Sequence, residues 1–174
     1  MDLASFPHEV TRMVFDTGQP YEEFRARYED AVPEVDPKRL AAFAERSAPW
    51  PEVVADADAS APHGFLIYWR ADMTPVMSLA GDSARCTAYL MGNHTIAEQM
   101  YRYDPSVMLY APLRTVIYVD AANHTQFAVD RPSTVFASFA SRPISQVGIE
   151  LERKLAALLG ALDVATHEAL DHAT

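Results

Sequence analysis

Two stretches of this chain combine side chains that can do chemistry. The first is Tyr89-Leu-Met-Gly-Asn-His94-Thr. Its pattern reads as a strand that breaks at Gly92-Asn93 and restarts as a helix at His94. A helix N-terminus offers free N–H groups and a positive dipole end, which can hold an anion or a carbonyl oxygen. The same dipole disfavours imidazolium in the first turn, so His94 is expected to be neutral at pH 7. A neutral imidazole can ligate a metal or a haem iron, or act as a base. The plain alternative is that Asn93 caps the helix and His94 is an ordinary first-turn residue.

The second stretch runs from Arg102-Tyr-Asp104-Pro to Tyr110-Ala-Pro-Leu-Arg114. Arg114 stands at the start of a strand, where its guanidinium can grip a carboxylate or phosphate bidentately. Alternatively it pairs with Asp104 and ties down the loop. Methionines 73, 77, 91, 100 and 108 fall in the same central block as tyrosines 89, 101, 103 and 110. That mixture either lines an adaptable apolar pocket or fills a core. Cys86 lies mid-strand and reads as a small buried hydrophobe, with a thiolate or haem-ligand role as the alternative. Ser133 has no histidine or aspartate relay near it in sequence. None of the six histidines falls in an HExxH or HxH spacing, and no glycine-rich phosphate loop is present.

The elements around these residues follow from periodicity. His8 to Phe15 alternates as a first strand, with Val10, Met13 and Phe15 as its apolar members. Tyr21, Phe24, Tyr28 and Val32 share one helical face behind Pro20. Asp36-Pro37 opens a second helix, and residues 52–62 form a short helix and a loop. Gly64 to Arg70 (GFLIYWR) predicts a strand buried on both faces, continued by Val76 to Ala80. Arg85 to Met91 is a further strand. Thr95 and Glu98 have capping-box spacing at the start of the helix His94 to Tyr103. Leu113 to Asp120 and Thr125 to Val129 form a hairpin. Asp130 is placed to cap a short helix over Pro132 to Phe139. Ile144, Val147, Leu151, Leu155, Leu158 and Leu162 form the apolar stripe of a long final helix.

Length and charge set the outer limits. The 174 residues, 49% of them hydrophobic, suit one domain. The net charge of −10 disfavours phosphate backbones and anionic lipid. A single cysteine excludes an internal disulfide and a multi-cysteine zinc site. No apolar run reaches the ~20 residues of a membrane span. The N-terminus lacks a basic n-region and an apolar h-region, so the expected location is cytoplasmic. Residues 1–62 carry thirteen acidic and six basic side chains, and residues 63–140 carry six and five. The acidity is therefore concentrated ahead of a nearly neutral core.

Several of these motifs occur together in one family. Gly92-Asn93-His94, then Asp104-Pro105, then Tyr110-Ala-Pro-Leu-Arg114 ahead of a β-branched strand resemble DUF302, a family of domains of unknown function. Asp130-Arg-Pro-Ser133, followed by Val147-Gly-Ile-Glu-Leu-Glu-Arg-Lys-Leu155, is similar to its actinobacterial branch. The resemblance covers roughly residues 63–162. It implies a compact α+β domain of the TATA-binding-protein-like class, with helices packed on one face of a curved antiparallel sheet. It implies dimers for some members and no settled reaction. This chain has His94 where many members have proline, and a long acidic extension before the core.

The expectation is a single α+β domain in three stretches: an acidic helical part over 1–62, the family-like core over 63–162, and a polar tail over 163–174. An apolar cleft is expected between the Gly92–Thr95 turn and Tyr110–Arg114. It would bind a small molecule through Asn93, His94, Tyr110, Arg114, Met91 and Met108. The alternatives are a haem-binding protein or haem-dependent enzyme using His94, and a non-catalytic interaction protein with a basic partner for the acidic third. A homodimer is compatible with each.

Overall fold

The structure, a computed structural model, describes residues 3–166. Five strands form one antiparallel sheet: β1 (Arg12–Asp16), β2 (Leu66–Asp72), β3 (Cys86–Gly92), β4 (Leu113–Val119) and β5 (Thr125–Asp130). Their order across the sheet is β1-β5-β4-β3-β2. Strands β2 to β5 therefore walk across as neighbours, and β1 joins beside the last of them. The helices are α1 (Tyr21–Ala31), α2 (Pro37–Glu45), α3 (Trp50–Ser60), α4 (Thr74–Met77), α5 (His94–Tyr101), α6 (Pro132–Ala137) and α7 (Arg142–Ala161). This is an α+β fold with an open sheet.

Alternation decides which face is covered. Met13, Phe15, Thr87, Tyr89, Met91, Leu113, Thr115, Ile117, Phe127 and Val129 are buried against the helices. Their neighbours Arg12, Val14, Arg114, Val116, Tyr118 and Ala128 lie on the other face, half-buried to exposed. The α1 face forms as its spacing predicts, with Tyr21, Phe24, Tyr28 and Val32 all buried. The Tyr28 hydroxyl reaches Thr115 Oγ1 (3.1 Å) and Met91 Sδ (3.2 Å), so a helix phenol is pinned to the middle of the sheet. Burial pushes its pKa up. The α7 stripe is likewise buried from Ile144 to Leu162. Gly148 permits close approach of α6, because a Cβ there would stand 3.1 Å from Pro132 O and Ser133 Cα.

Several expectations fail for tertiary reasons. Val10 precedes β1 and is 42% exposed. β2 is an edge strand, so only Leu66 and Ile67 are buried and Trp69 is 50% exposed. Val76 to Ala80 is not strand but α4 and a 3-10 turn, with Leu79 87% exposed. Pro75, at the second position of α4, fits a helical first turn better than a sheet. Cys86 is half-buried at the start of β3 rather than in the core. Asp130 does not cap α6; it is exposed, and the Ser133 N–H donates to Glu152 Oε1 of α7 instead (2.8 Å). The packed chain also passes residue 162. Val164 is buried and Asp163 pairs with Arg27 (2.8 Å). The rest of the expected tail, from residue 167, lies outside the described residues.

Candidate functional site

The corner between β3 and α5 is built by local capping. Asn93 is extended (φ −150°, ψ 122°), and its Oδ1 accepts from the Thr95 N–H (2.9 Å) and from Thr95 Oγ1 (2.7 Å). Asn93, not a Thr95–Glu98 box, caps α5. Asn93 Nδ2 donates to Gly64 O (3.2 Å), which ties the corner to the chain leading into β2. Gly92 is needed for a close approach. A Cβ there would lie 3.0 Å from Pro112 Cβ and 3.2 Å from Pro112 Cα. That contact joins the end of β3 to the segment that opens β4.

Tyr68 completes the corner. The pairing of β2 with β3 shifts register between Ile67 and Trp69, so Tyr68 is the extra residue of a bulge. A bulge re-aims a side chain out of the normal alternation. The Tyr68 hydroxyl accepts from the His94 backbone N–H (2.9 Å) and lies 2.7 Å from His94 Nδ1. Burial pushes the phenol pKa up to about 12. Its proton therefore stays in place and is available to Nδ1. This assignment leaves the imidazole proton on Nε2. Burial also lowers the His94 pKa, opposed by the charge of Asp56, so the ring is neutral at pH 7. His94 Nε2 is buried and has no hydrogen-bond partner.

Beside this corner lies an apolar cavity of about 110 Å³. Gly92, Asn93, His94 and Tyr68 form one wall, and Ala111, Pro112 and Leu113 another. Phe136 and Leu151 from α6 and α7 line it as well, with Ile96, Ala97 and Met100 of α5. Met108 lines it and is 48% exposed.

The two segments expected to border a cleft do border this one, but with different side chains. Asn93, His94 and Met108 line it as read from the sequence. Met91 is fully buried beneath Tyr28 and is not a lining residue. Tyr110 turns away, with its hydroxyl 3.3 Å from His8 Nε2 and its ring edge-on to Phe139. Arg114 points to the uncovered face of the sheet, beside Arg12, Val116 and Asp130. It forms no ion pair with Asp104, whose carboxylate accepts from Ser106 instead. Strand alternation is the reason: Leu113 faces the cavity, so Arg114 cannot. Tyr68 was the residue missed, and a bulge leaves no mark in a run such as GFLIYWR.

The acidic third is tied by ion pairs to itself and to arginines of the sheet region. Arg70 bridges Glu29 (2.8 Å) and Glu34 (3.1 Å), Glu22 meets Arg25 (2.7 Å) and Arg85, and Asp56 meets Arg39. Among the described residues, no group of three or more His, Cys, Asp or Glu side chains could hold a metal ion. None of the described helices is long and apolar enough to cross a membrane.

A family model for DUF302, a domain of unknown function, matches residues 43–162. The chain belongs to the DUF302 family. The match begins within α2, so it takes in part of the acidic third as well as the whole Gly92–Leu113 corner. A crystal structure of an uncharacterized conserved DUF302 protein from Bacillus stearothermophilus is similar to this DUF302 chain. Its TM-score is 0.59 at 15% identity, over 90% of this chain and 98% of the other. At that identity the likeness shows a shared fold. No curated protein matches this chain significantly.

Proposed function

We propose that this DUF302 domain binds a small molecule in the cavity between the Gly92–Thr95 turn and the Ala111–Leu113 segment. The observation that carries this reading is a cavity of about 110 Å³ lined by apolar side chains from β4, α5, α6 and α7. An apolar ligand placed there leaves water at a gain of roughly 25 cal/mol per Å² buried. No carboxylate and no second base line the cavity, which favours binding over turnover.

The haem alternative fits poorly. Nε2 is the atom an iron would take, but about 110 Å³ is well below the ~300 Å³ at which pockets for larger organic ligands begin. Ligand pockets of this small size hold about five heavy atoms, by comparison with engineered cavities that take benzene. Titration with xenon, which engineered apolar cavities also take, followed by amide NMR shifts, tests the reading. Saturable shifts at residues 92–97 that vanish in Ala97→Leu are expected. Their absence in the wild-type protein overturns it.

A second copy of the chain is our reading for the uncovered sheet face. Val14, Trp69 and Val116 are apolar there, and Arg12 and Arg114 balance Asp16 and Asp130, whereas the whole chain carries −10. Two acidic chains meet with least repulsion through a neutral face. Light scattering at high protein concentration should give a dimer that Val116→Lys converts to a monomer. A monomeric wild-type protein rules this out.

A further inference from the structure

We infer that the second copy docks on the uncovered sheet face about a two-fold axis running across the strands, so that Arg12 of each chain meets Asp16 of the other. This deepens the second-copy reading and rests on it. Strand register sorts the side chains of that face into three rows. The middle row is Val14, Ala128, Val116, Ala88 and Ala71, one from each strand. None is larger than valine and all are half-buried or exposed, so the row is a shallow apolar trough. On one side of it run Arg12, Asp130, Arg114, Leu90 and Trp69. On the other run Asp16, Gln126, Tyr118, Cys86 and Met73.

The charges choose the axis. Arg12 and Arg114 form no ion pair among the described residues, so the first outer row carries an excess cation. The second carries Asp16, which is 55% exposed. Its Oδ1 accepts from the Gly18 N–H (2.9 Å) and its Oδ2 lies 3.6 Å from His124 Nδ1. Two sheets packed face to face by a two-fold have their axis either along the strands or across them. An axis along β4 sets Arg114 against Arg114 of the second copy. It also lays the carboxylates of Asp130 and Asp16 on Leu90 and Met73. An axis along the middle row exchanges the outer rows instead. Arg12 then faces Asp16, Arg114 faces the Tyr118 ring, Trp69 faces Met73, and trough lies on trough. These are an ion pair, a cation–π contact and a sulfur–aromatic contact. Packed sheets cross at about 30°, which offsets the outer strands, and the length of Arg12 spans that offset. In plan the face is about 24 Å by about 17 Å. That is a small interface, so the dimer is weak and forms at high protein concentration.

The test uses the full chain with Cys86→Ser as background, at the concentration where light scattering gives the dimer. Packed sheets stand about 10 Å apart, too far for a disulfide, so a short bis-maleimide bridges the introduced thiols. Ala88 lies on the inferred axis and meets its own copy. Arg114 meets its own copy only if the axis follows β4. Ala88→Cys should therefore cross-link at least about tenfold faster than Arg114→Cys, because docking raises the effective concentration of one thiol at the other. Arg12→Glu and Asp16→Lys should each weaken the dimer at least about tenfold, and an equimolar mixture of the two should restore it. In that mixture the carboxylate introduced by one variant faces the ammonium introduced by the other. Equal or faster cross-linking of Arg114→Cys, or no rescue in the mixture, overturns the inference. The second-copy reading then still stands if Val116→Lys dissociates the dimer. Rescue without cross-linking of Ala88→Cys places the contact at the β1 edge and overturns the inference as well. A monomeric wild-type protein overturns both. Should Ala88→Cys not fold, Ala128→Cys in the same row takes its place.

Discussion

One hydroxyl holds two atoms of the same residue: Tyr68 Oη sits 2.9 Å from the His94 backbone nitrogen and 2.7 Å from His94 Nδ1. It holds the first turn of α5 and the imidazole ring in place together. Tyr68→Phe leaves both atoms without a partner at a half-buried site. We expect a loss of about 1–3 kcal/mol of stability by urea denaturation. The Nε2 proton should then exchange between the two ring nitrogens, visible in the imidazole nitrogen-15 shifts. An unchanged tautomer in Tyr68→Phe would show that the hydroxyl does not set it.

His94 also makes stability depend on pH. Burial lowers its folded pKa below the unfolded value of about 6.5. Below that value the unfolded chain takes up a proton that the folded chain refuses. Stability is therefore full above about 6.5 and falls as the pH drops from there towards the lowered folded pKa. Urea midpoints at pH 7.5 and pH 5 should differ less in His94→Phe than in the wild-type protein. An equal difference in both proteins would assign the acid sensitivity to other groups.

Gly92 and Pro112 are packed too closely for a side chain between them. Gly92→Ala places a methyl 3.0 Å from Pro112 Cβ and 3.2 Å from its Cα. Backbone must move, at a cost of about 1–3 kcal/mol. Leu113 follows Pro112 and lines the cavity, so xenon binding should weaken along with stability. A variant of wild-type stability would mean that the β4 segment yields freely.

Arg114→Ala should change little. The side chain is exposed, lies on the far side of the sheet from the cavity and has no ion pair among the described residues. Thermal unfolding is expected to move by no more than about 0.5 kcal/mol, with xenon binding in the cavity unaltered. A marked loss of binding would place Arg114 at the ligand after all.

Much of the site was legible because it is local. Gly-Asn ahead of a helical run marks a capped helix start, and Asn93 caps at two residues' distance. Pro-Leu-Arg before a β-branched run marks a strand start, and that strand does form the other wall. Arg114 was misplaced because the choice of face depends on what covers the sheet, and Tyr110 because it closes the turn before β4 and packs edge-on to Phe139. A one-residue step along a strand reverses the side chain, and the sequence does not say which side the helices take. GFLIYWR was read as buried on both faces for the same reason: hydrophobicity alone does not tell a central strand from an edge.

The sequence by itself determined the helices other than α4 and their buried stripes, the capped corner at Asn93, the hairpin of β4 and β5, and the family. Each of these follows from spacing within a few turns or strands of chain. The tertiary structure alone decided the partner of His94, the carboxylate that serves the start of α6, and the side of the sheet on which Arg114 lies. Tyr68 is 26 residues from His94, and Glu152 is 19 from Ser133. Contacts at such separations arise from strand order, a register shift and helix packing, which no local pattern of residues encodes.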